Sequence, residues 1–543
     1  MHTLKLPLKI TKQDELILQK RFALLAKMHN ILVKHAQKLL GRVNGNKWYR
    51  KQLDAYAKAN ARLKEVETYL KSPDTDTVVI PALKKEQDEL SALRKSLSGV
   101  MADYRARIGL TKGGLEAYCK KFQSQYKKHI SSHIAQKEAD HIWAGVEKVL
   151  FSEGNVLHFK KWDSFRTISS KSPTNGIRFY SKPHGIDYTP KAYRPVHKAG
   201  IEFMGLDIEV SLSGWDPYKE ASLRKGCKLS YSTILREPFR AGYRYCVILS
   251  IDGAAPKKIP EGALGRSTAG ADPGMSTFAY ASGTTVAFEE LAPESKAYNR
   301  RIAALQKRID RSLRIHNPDN YNSDGTPQKG KRKWVCTRRC RRLRWQLKVL
   351  YRKKSACITC EHNNRANRVV RDAAVFITEA MDFKALAKRS KKEAQRVEKA
   401  SVVRRKDGTE ITVYRYKKKK RFGKSIGDRA PAAQLAVIQR KMAQYGGLYF
   451  EADTKSFRAS QYDHVKDTYI KVPLSQRKKD VGGNPVQRDL YSAFLLGHAL
   501  LPDMKKPDRE ACIRGFRDFL RMQDACIAYL KETGFSMPSC AGF

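Results

Sequence analysis

The sequence predicts a multidomain α+β chain: a small β-barrel carrying an inserted helical domain, followed by an α/β domain with inserted helices of its own. Three observations predict it. Apolar residues recur at helical spacing from residue 11 to 151, alternate with period two from 152 to 260, and from 265 onward fall into strands and helices in turn. The 543 residues are enough for three or four domains at roughly 100 to 200 residues each. A 41% hydrophobic content supplies a core for each, which excludes a wholly disordered chain.

Residues 1–10 read as one strand of the barrel, with Leu4 and Ile10 bounding its apolar run. Thr11 to Asp14 then has the pattern of a capping box, in which each side chain satisfies a free backbone N–H of the other residue. Leu16, Phe22, Leu25, Met28, Leu32 and Leu39 follow on one helical face. Further helices are expected over Trp48 to Lys71, Ala82 to Leu97 and Leu115 to Phe151, divided at Ser72-Pro73 and Gly113-Gly114. Residues 11–151 are thus a helical domain. Over 152–260 the alternation of Ile201, Phe203, Leu206, Ile208 and Val210, then of Leu229 to Leu235 and Tyr243 to Ile251, predicts the remaining barrel strands. The strand at 1–10 can join them, so the helical domain is an insertion.

The α/β domain spans 265–449 and resumes at 484–543. Ala269 to Ala281 reads as two strands around Pro273-Gly274, and Ala373 to Thr378 as a buried strand. Asp489 opens an apolar helix, and a basic helical segment occupies 300–370. No run approaches the roughly 18 to 20 apolar residues of a membrane span, and the charged start lacks a signal peptide's apolar segment, so a cytoplasmic protein is expected with no membrane partner.

The formal charge is +52, from 106 Lys and Arg against 54 Asp and Glu. Such an excess repels itself unless a polyanion neutralises it, and a nucleic acid is the natural counter-ion. Lys331 to Lys354 holds twelve cations and no acid. Arg338, Arg339, Arg341, Arg342, Arg344, Lys348 and Arg352 are the expected phosphate contacts there, with Leu343, Leu347 and Leu350 as a packing stripe. A second basic cluster is Lys417, Lys418, Lys419 and Arg421. Trp345 and Tyr351 suit either core packing or stacking on bases.

Three carboxylates stand out by context. Asp272 ends a short strand after Gly270-Ala271, Glu379 follows the apolar run Ala373 to Ile377, and Asp489 starts a helix. In an α/β sheet, parallel neighbours present their carboxyl ends at one edge, where ligands bind. Three acids gathered there would repel one another without a cation, and Mg²⁺ prefers hard oxygen ligands. The chemistry implied is metal-assisted phosphodiester hydrolysis. Taken singly, each acid could equally be a cap, a turn residue or a solvated carboxylate.

Gly270-Ala271-Asp272-Pro273-Gly274, Phe376 to Phe383 and Arg488-Asp489-Leu490-Tyr491-Ser492-Ala493 resemble, in order and spacing, the three split RuvC motifs of TnpB transposon nucleases and compact type V CRISPR effectors. The resemblance covers residues 265 to 500 closely and the front half by layout. It implies an RNase H-like (RuvC) nuclease domain, a wedge barrel and a helical recognition domain, with Asp272, Glu379 and Asp489 as Mg²⁺-binding (or Mn²⁺-binding) catalytic acids. It further implies a structured guide RNA and a target double-stranded DNA as partners of a monomer or homodimer. Guide pairing would then supply specificity while the protein reads backbone shape and a short flanking motif. The alternatives are an RNA-guided effector that silences without cutting, and an unguided RNase H-like nuclease or recombinase.

Three departures from the family stand out. Pro273 and Ala380 follow the first two acids where an aliphatic residue and a second acid are usual. The segment 450–483, in the place of a target-loading loop, reads Ser460-Gln461-Tyr462-Asp463-His464-Val465 where the family opens a zinc ribbon, and no cysteine lies between Glu379 and Asp489. Zinc is not expected there, because the soft ligands are missing. Cys336, Cys340, Cys357 and Cys360, with His362 behind them, form the only other metal-like spacing. On one helix Cys340 and Cys357 would lie about 25 Å apart, so they could meet only if it broke near Lys353.

Overall fold

The computed structural model describes all residues except 71–78, 152–153, 155, 181–198, 212–216, 224–227, 258–261, 324, 331, 388–394, 405–409, 417–421, 474, 534–541 and 543. The chain divides into two compact units, Met1–Pro256 and Lys257–Phe543. Among the described residues no helix is long and apolar enough to cross a membrane.

The first unit opens with β1 (His2–Pro7) and five helices: α1 (Lys12–Gly45), α2 (Lys47–Leu70), α3 (Ile80–Arg107), α4 (Lys112–Gln125) and α5 (Ser132–Leu150). The capping box at Thr11 and Asp14 is present, each side chain bonding the other's backbone N–H. The single helix expected over Leu115 to Phe151 is two. α4 ends at Gln125, and Ser131 starts α5 afresh, its hydroxyl accepting from Ile134 N. Then come β2 (Thr167–Ser169), β3 (Arg178–Tyr180), β4 (Gly200–Phe203), β5 (Leu206–Glu209), α6 (Pro217–Ser222), β6 (Leu229–Phe239) and β7 (Gly242–Ile251). β1 lies antiparallel to β7, although about 240 residues separate them in sequence. Where one barrel was expected, the described strands form two antiparallel sheets, β1-β7-β6-β2 and β3-β4-β5, bridged where Leu8 meets Val210. Leu4 and Leu6 of β1, with Leu8 just beyond it, pack into one core with the apolar face of α1, including Phe22, Leu25, Leu32 and Leu39.

The second unit continues with β8 (Ser267–Pro273), β9 (Thr277–Ser282), β10 (Val286–Glu290), α7 (Ser295–His316), α8 (Arg338–Asp372), β11 (Ala373–Glu379), α9 (Phe383–Ala387), β12 (Gln395–Arg404), β13 (Glu410–Tyr416), α10 (Gly423–Arg429), α11 (Pro431–Tyr445) and β14 (Leu448–Ala452). It closes with α12 (Thr454–Phe457), β15 (Tyr462–Asp463), β16 (Thr468–Tyr469), β17 (Lys478–Val481), β18 (Asn484–Gln487), α13 (Arg488–Gly497) and α14 (Arg509–Glu532). Within 450–483 the described residues complete β14 and add α12, the β15-β16 hairpin and β17, which pairs with β18.

The central sheet has the order β10-β9-β8-β11-β14. β8, β9 and β10 form an antiparallel meander, and β11 and β14 add parallel to β8. Each face covers a separate core. Ala269, Ala271, Phe376 and Val370 pack with α8 and α11 on one side. Ala279, Ala281, Ile377, Leu490 and Phe494 pack with α13 and α14 on the other.

Candidate active site and nucleic-acid interface

The alternation of side chains along a strand decides which face each acid occupies. Gly270 pairs with Ala281 and Ile377, and Asp272 pairs with Ala279. Ala279, Ala281 and Ile377 all face α13. Asp272, two residues on from Gly270, and Glu379, two residues on from Ile377, therefore point to that same face. Thr378 pairs with Ala271, so the next residues, Glu379 and Asp272, stand side by side at the carboxyl ends of two parallel strands.

Asp489 reaches this edge because α13 lies directly on β8. A Cβ on Gly270 would stand 2.0 Å from Ala493 O and 2.3 Å from Gly497 N, so only glycine permits the helix backbone this close. From that crossing, Asp489 is one helical turn back, about 5.4 Å along the axis. Asp272 is two strand residues on, about 6.6 Å. Gln487 caps the helix through Leu490 N, placing Asp489 in its first turn.

The electrostatics follow from this placement. Burial, then the charges of Asp489 and Glu379, push the Asp272 carboxyl well above its ordinary value, while Arg488 and Arg477 oppose them. Glu379 is also raised by burial, against a backbone N–H donated by Ala459. Asp489 is held by guanidinium groups, Arg488 Nη2 at 3.3 Å from Oδ1 and Arg477 Nη1 at 3.8 Å from Oδ2. Arg488 is buried and its Nε has no hydrogen-bond partner. Neither arginine was singled out from the sequence; the adjacency of Arg488 to Asp489 was the available signal, and Arg477 gave none.

The donor chemistry suits a hard divalent cation: three carboxylates whose mutual repulsion a cation would relieve. Among the described residues, however, no three His, Cys, Asp or Glu side chains are gathered as a metal cage. The fold brings the acids to one edge, and the arginines at Asp489 supply the positive charge there.

Behind the site lies a polar cluster that the sequence reading passed over. His464 is fully buried, its Nδ1 2.7 Å from the Tyr491 hydroxyl on α13 and its ring against Phe494 and Phe516. Lys479 Nζ donates to Tyr462 O at 2.6 Å, and Arg509 Nε to His464 O at 3.0 Å. Burial pushes the His464 imidazole down to about 4. These contacts tie the β15-β16 hairpin to α13 in the segment where the sequence lacks zinc ligands.

α8 carries the basic face. Cys340 and Leu343 are buried against Ile309 of α7, with Leu347 partly so. Arg338, Arg339, Arg341, Arg342 and Arg344 are exposed, while Lys348 and Arg352 are half-buried. Tyr351 is exposed and its hydroxyl accepts from Gln306. Lys417, Lys418, Lys419 and Arg421 lie outside the described residues. α8 is continuous from Arg338 to Asp372, so the break near Lys353 that would join the cysteines is absent. Cys336 precedes that helix, Cys357 Sγ donates to Glu361, and His362 Nε2 is paired with Arg429 O.

No family model matches the sequence, and no curated protein matches it. Two solved structures are similar to the chain at 13% identity. One, described as a Cas12f1-sgRNA-target DNA complex, covers 91% of this chain and 97% of its own, with a TM-score of 0.39. The other, a CRISPR-Cas12f ternary complex, covers 93% and 100%, with a TM-score of 0.24. At that identity and those scores no residue role transfers to this chain.

Proposed function

We propose that the chain is an RNA-guided DNA endonuclease whose hydrolytic centre is Asp272, Glu379 and Asp489. The observation that carries this reading is the Asp272 carboxyl, raised by burial and by two further acids at the carboxyl edge of parallel strands. Perturbed carboxylates with a specific charge partner mark functional sites. The order of the five-stranded sheet supports an RNase H-like centre, and the motif resemblance supports a guide RNA. The exposed arginines of α8 supply a surface for a phosphate backbone.

Asp272, Glu379 and Asp489 would hold Mg²⁺, which supplies charge neutralisation at the phosphoryl group and an activated water. The protein's own contribution is placement. Gly270 lets α13 set Asp489 against the strands, Ala459 N–H orients Glu379, and Arg477 and Arg488 hold the Asp489 carboxylate by ion pairs. The test is cleavage by the protein copurified with its RNA. Wild type with Mg²⁺ should cut matched DNA, and Asp272→Ala should bind the same DNA without cutting. A cutting variant would remove Asp272 from the site. Retention of one discrete RNA separates this reading from an unguided nuclease.

The guanidinium contacts to Asp489 favour a second reading, an effector that binds guided DNA and silences without cutting. Wild-type binding with no cleavage at any Mg²⁺ concentration would establish it.

A further inference from the structure

The tip that joins α7 to α8 exposes apolar surface on a rigid frame. Ile315 is 64%, Trp334 40% and Val335 60% exposed. The backbone beneath them is pinned. Asn317 is buried, its Nδ2 donating to Leu313 O and Val335 O and its Oδ1 accepting from Val335 N at 2.6 Å. Asn320 Nδ2 donates to Lys333 O at 2.8 Å. Trp334 meets Tyr321 edge to face at 5.6 Å, and the Arg314 guanidinium sits 4.9 Å from the Tyr321 ring. Three side chains thus fix a strap whose indole and isopropyl groups face water.

Charge selects the occupant. From Lys329 to Cys360 the sequence holds no Asp or Glu, and Arg332, Lys333, Arg338 and Arg339 around Trp334 are all exposed. A second copy would bring another +52 chain against this stretch. A duplex hides its base faces in the stack, whereas an unpaired base offers a π-face beside its phosphates, which fits an aromatic ring set among cations. We propose that the Trp334 tip is a stacking site for an unpaired base of single-stranded nucleic acid, with the flanking phosphates on Arg332, Lys333, Arg338 and Arg339. The inference rests on nucleic-acid binding as read above and is independent of cleavage.

The full chain, freed of nucleic acid at high salt, is offered short RNA and DNA strands each bearing one 5-iodouracil, irradiated, and the adducts are mapped. Trp334 is the expected adduct. Adducts from both strands read the shared base and phosphate chemistry, and adducts from one alone assign the source. Trp334→Leu keeps apolar bulk without the aromatic face and should lose about 5- to 100-fold in affinity with an unchanged salt slope, as expected for one stacked base; Trp334→Phe should retain most of it. Adducts only elsewhere, with Trp334→Leu binding as wild type, would overturn the site. So would self-association by light scattering that Trp334→Leu abolishes while strand binding stays intact, since a second copy would then cover the tip. Failure of wild type to bind either strand would remove the nucleic-acid reading as well.

Discussion

Gly270→Ala isolates the contact that places Asp489. The added Cβ would sit 2.0 Å from Ala493 O, 2.3 Å from Gly497 N and 2.9 Å from Leu496 C, all backbone of α13. Since Cβ contacts under 3.0 Å are essentially never found, the helix must retreat from β8 by about 1 Å. Two costs follow. Overpacking of this kind destabilises by about 1 to 3 kcal/mol. A misplacement of about 1 Å at a catalytic group costs about 100-fold in rate, and under the proposed function it would fall on Asp489, one turn from the crossing. Gly283→Ala is the control, because its Cβ meets nothing within 4 Å. Thermal unfolding and single-turnover cleavage of matched DNA should show Gly270→Ala less stable and about 100-fold slower, with Gly283→Ala unchanged in both. A Gly270→Ala protein that matches Gly283→Ala in stability and rate would refute both the packing of α13 on β8 and the placement of Asp489 by it.

Three further outcomes are expected. His464 is neutral when folded down to about pH 4 but takes up a proton near 6.5 when unfolded; its contribution is full above pH 6.5 and is lost as pH falls towards 4, by up to about 3 kcal/mol. Urea unfolding of wild type and His464→Gln at pH 7 and pH 4.5 checks this, and equal pH dependence in the two would exclude His464 as the cause. Arg365→Met should destabilise by about 1 to 3 kcal/mol, since Glu289 keeps Arg368 but the buried acceptors Gln434 Oε1 and Glu290 O lose their donor; an unfolding free energy equal to wild type would contradict the network. Finally, RNA affinity should fall steeply with salt, and alanine at Arg338, Arg339, Arg341 and Arg342 should flatten the log–log slope by about one for each phosphate left without its cation. An unchanged slope would take the exposed face of α8 out of the interface.

The amino-acid sequence by itself determined what local chemistry dictates. Capping at Thr11 and Asp14, the apolar face of α1, the strand reading of Ala269 to Ala281 and the arginine-rich helix all depend on neighbours a few residues away. So did the standing of Asp272 and Glu379 at strand ends and of Asp489 at a helix start. Only the tertiary structure decided what depends on distant partners. α5 begins afresh after Ser131 because that hydroxyl serves Ile134, which no periodicity reports. Short strands form within 450–483 because β14 finds β11 and β17 finds β18. Above all, that Asp489 faces the two strand acids follows from Gly270 admitting α13, a contact between residues more than 200 positions apart, and that Arg477 reaches Asp489 follows from the β17-β18 pairing, which sets Arg477 beside Arg488.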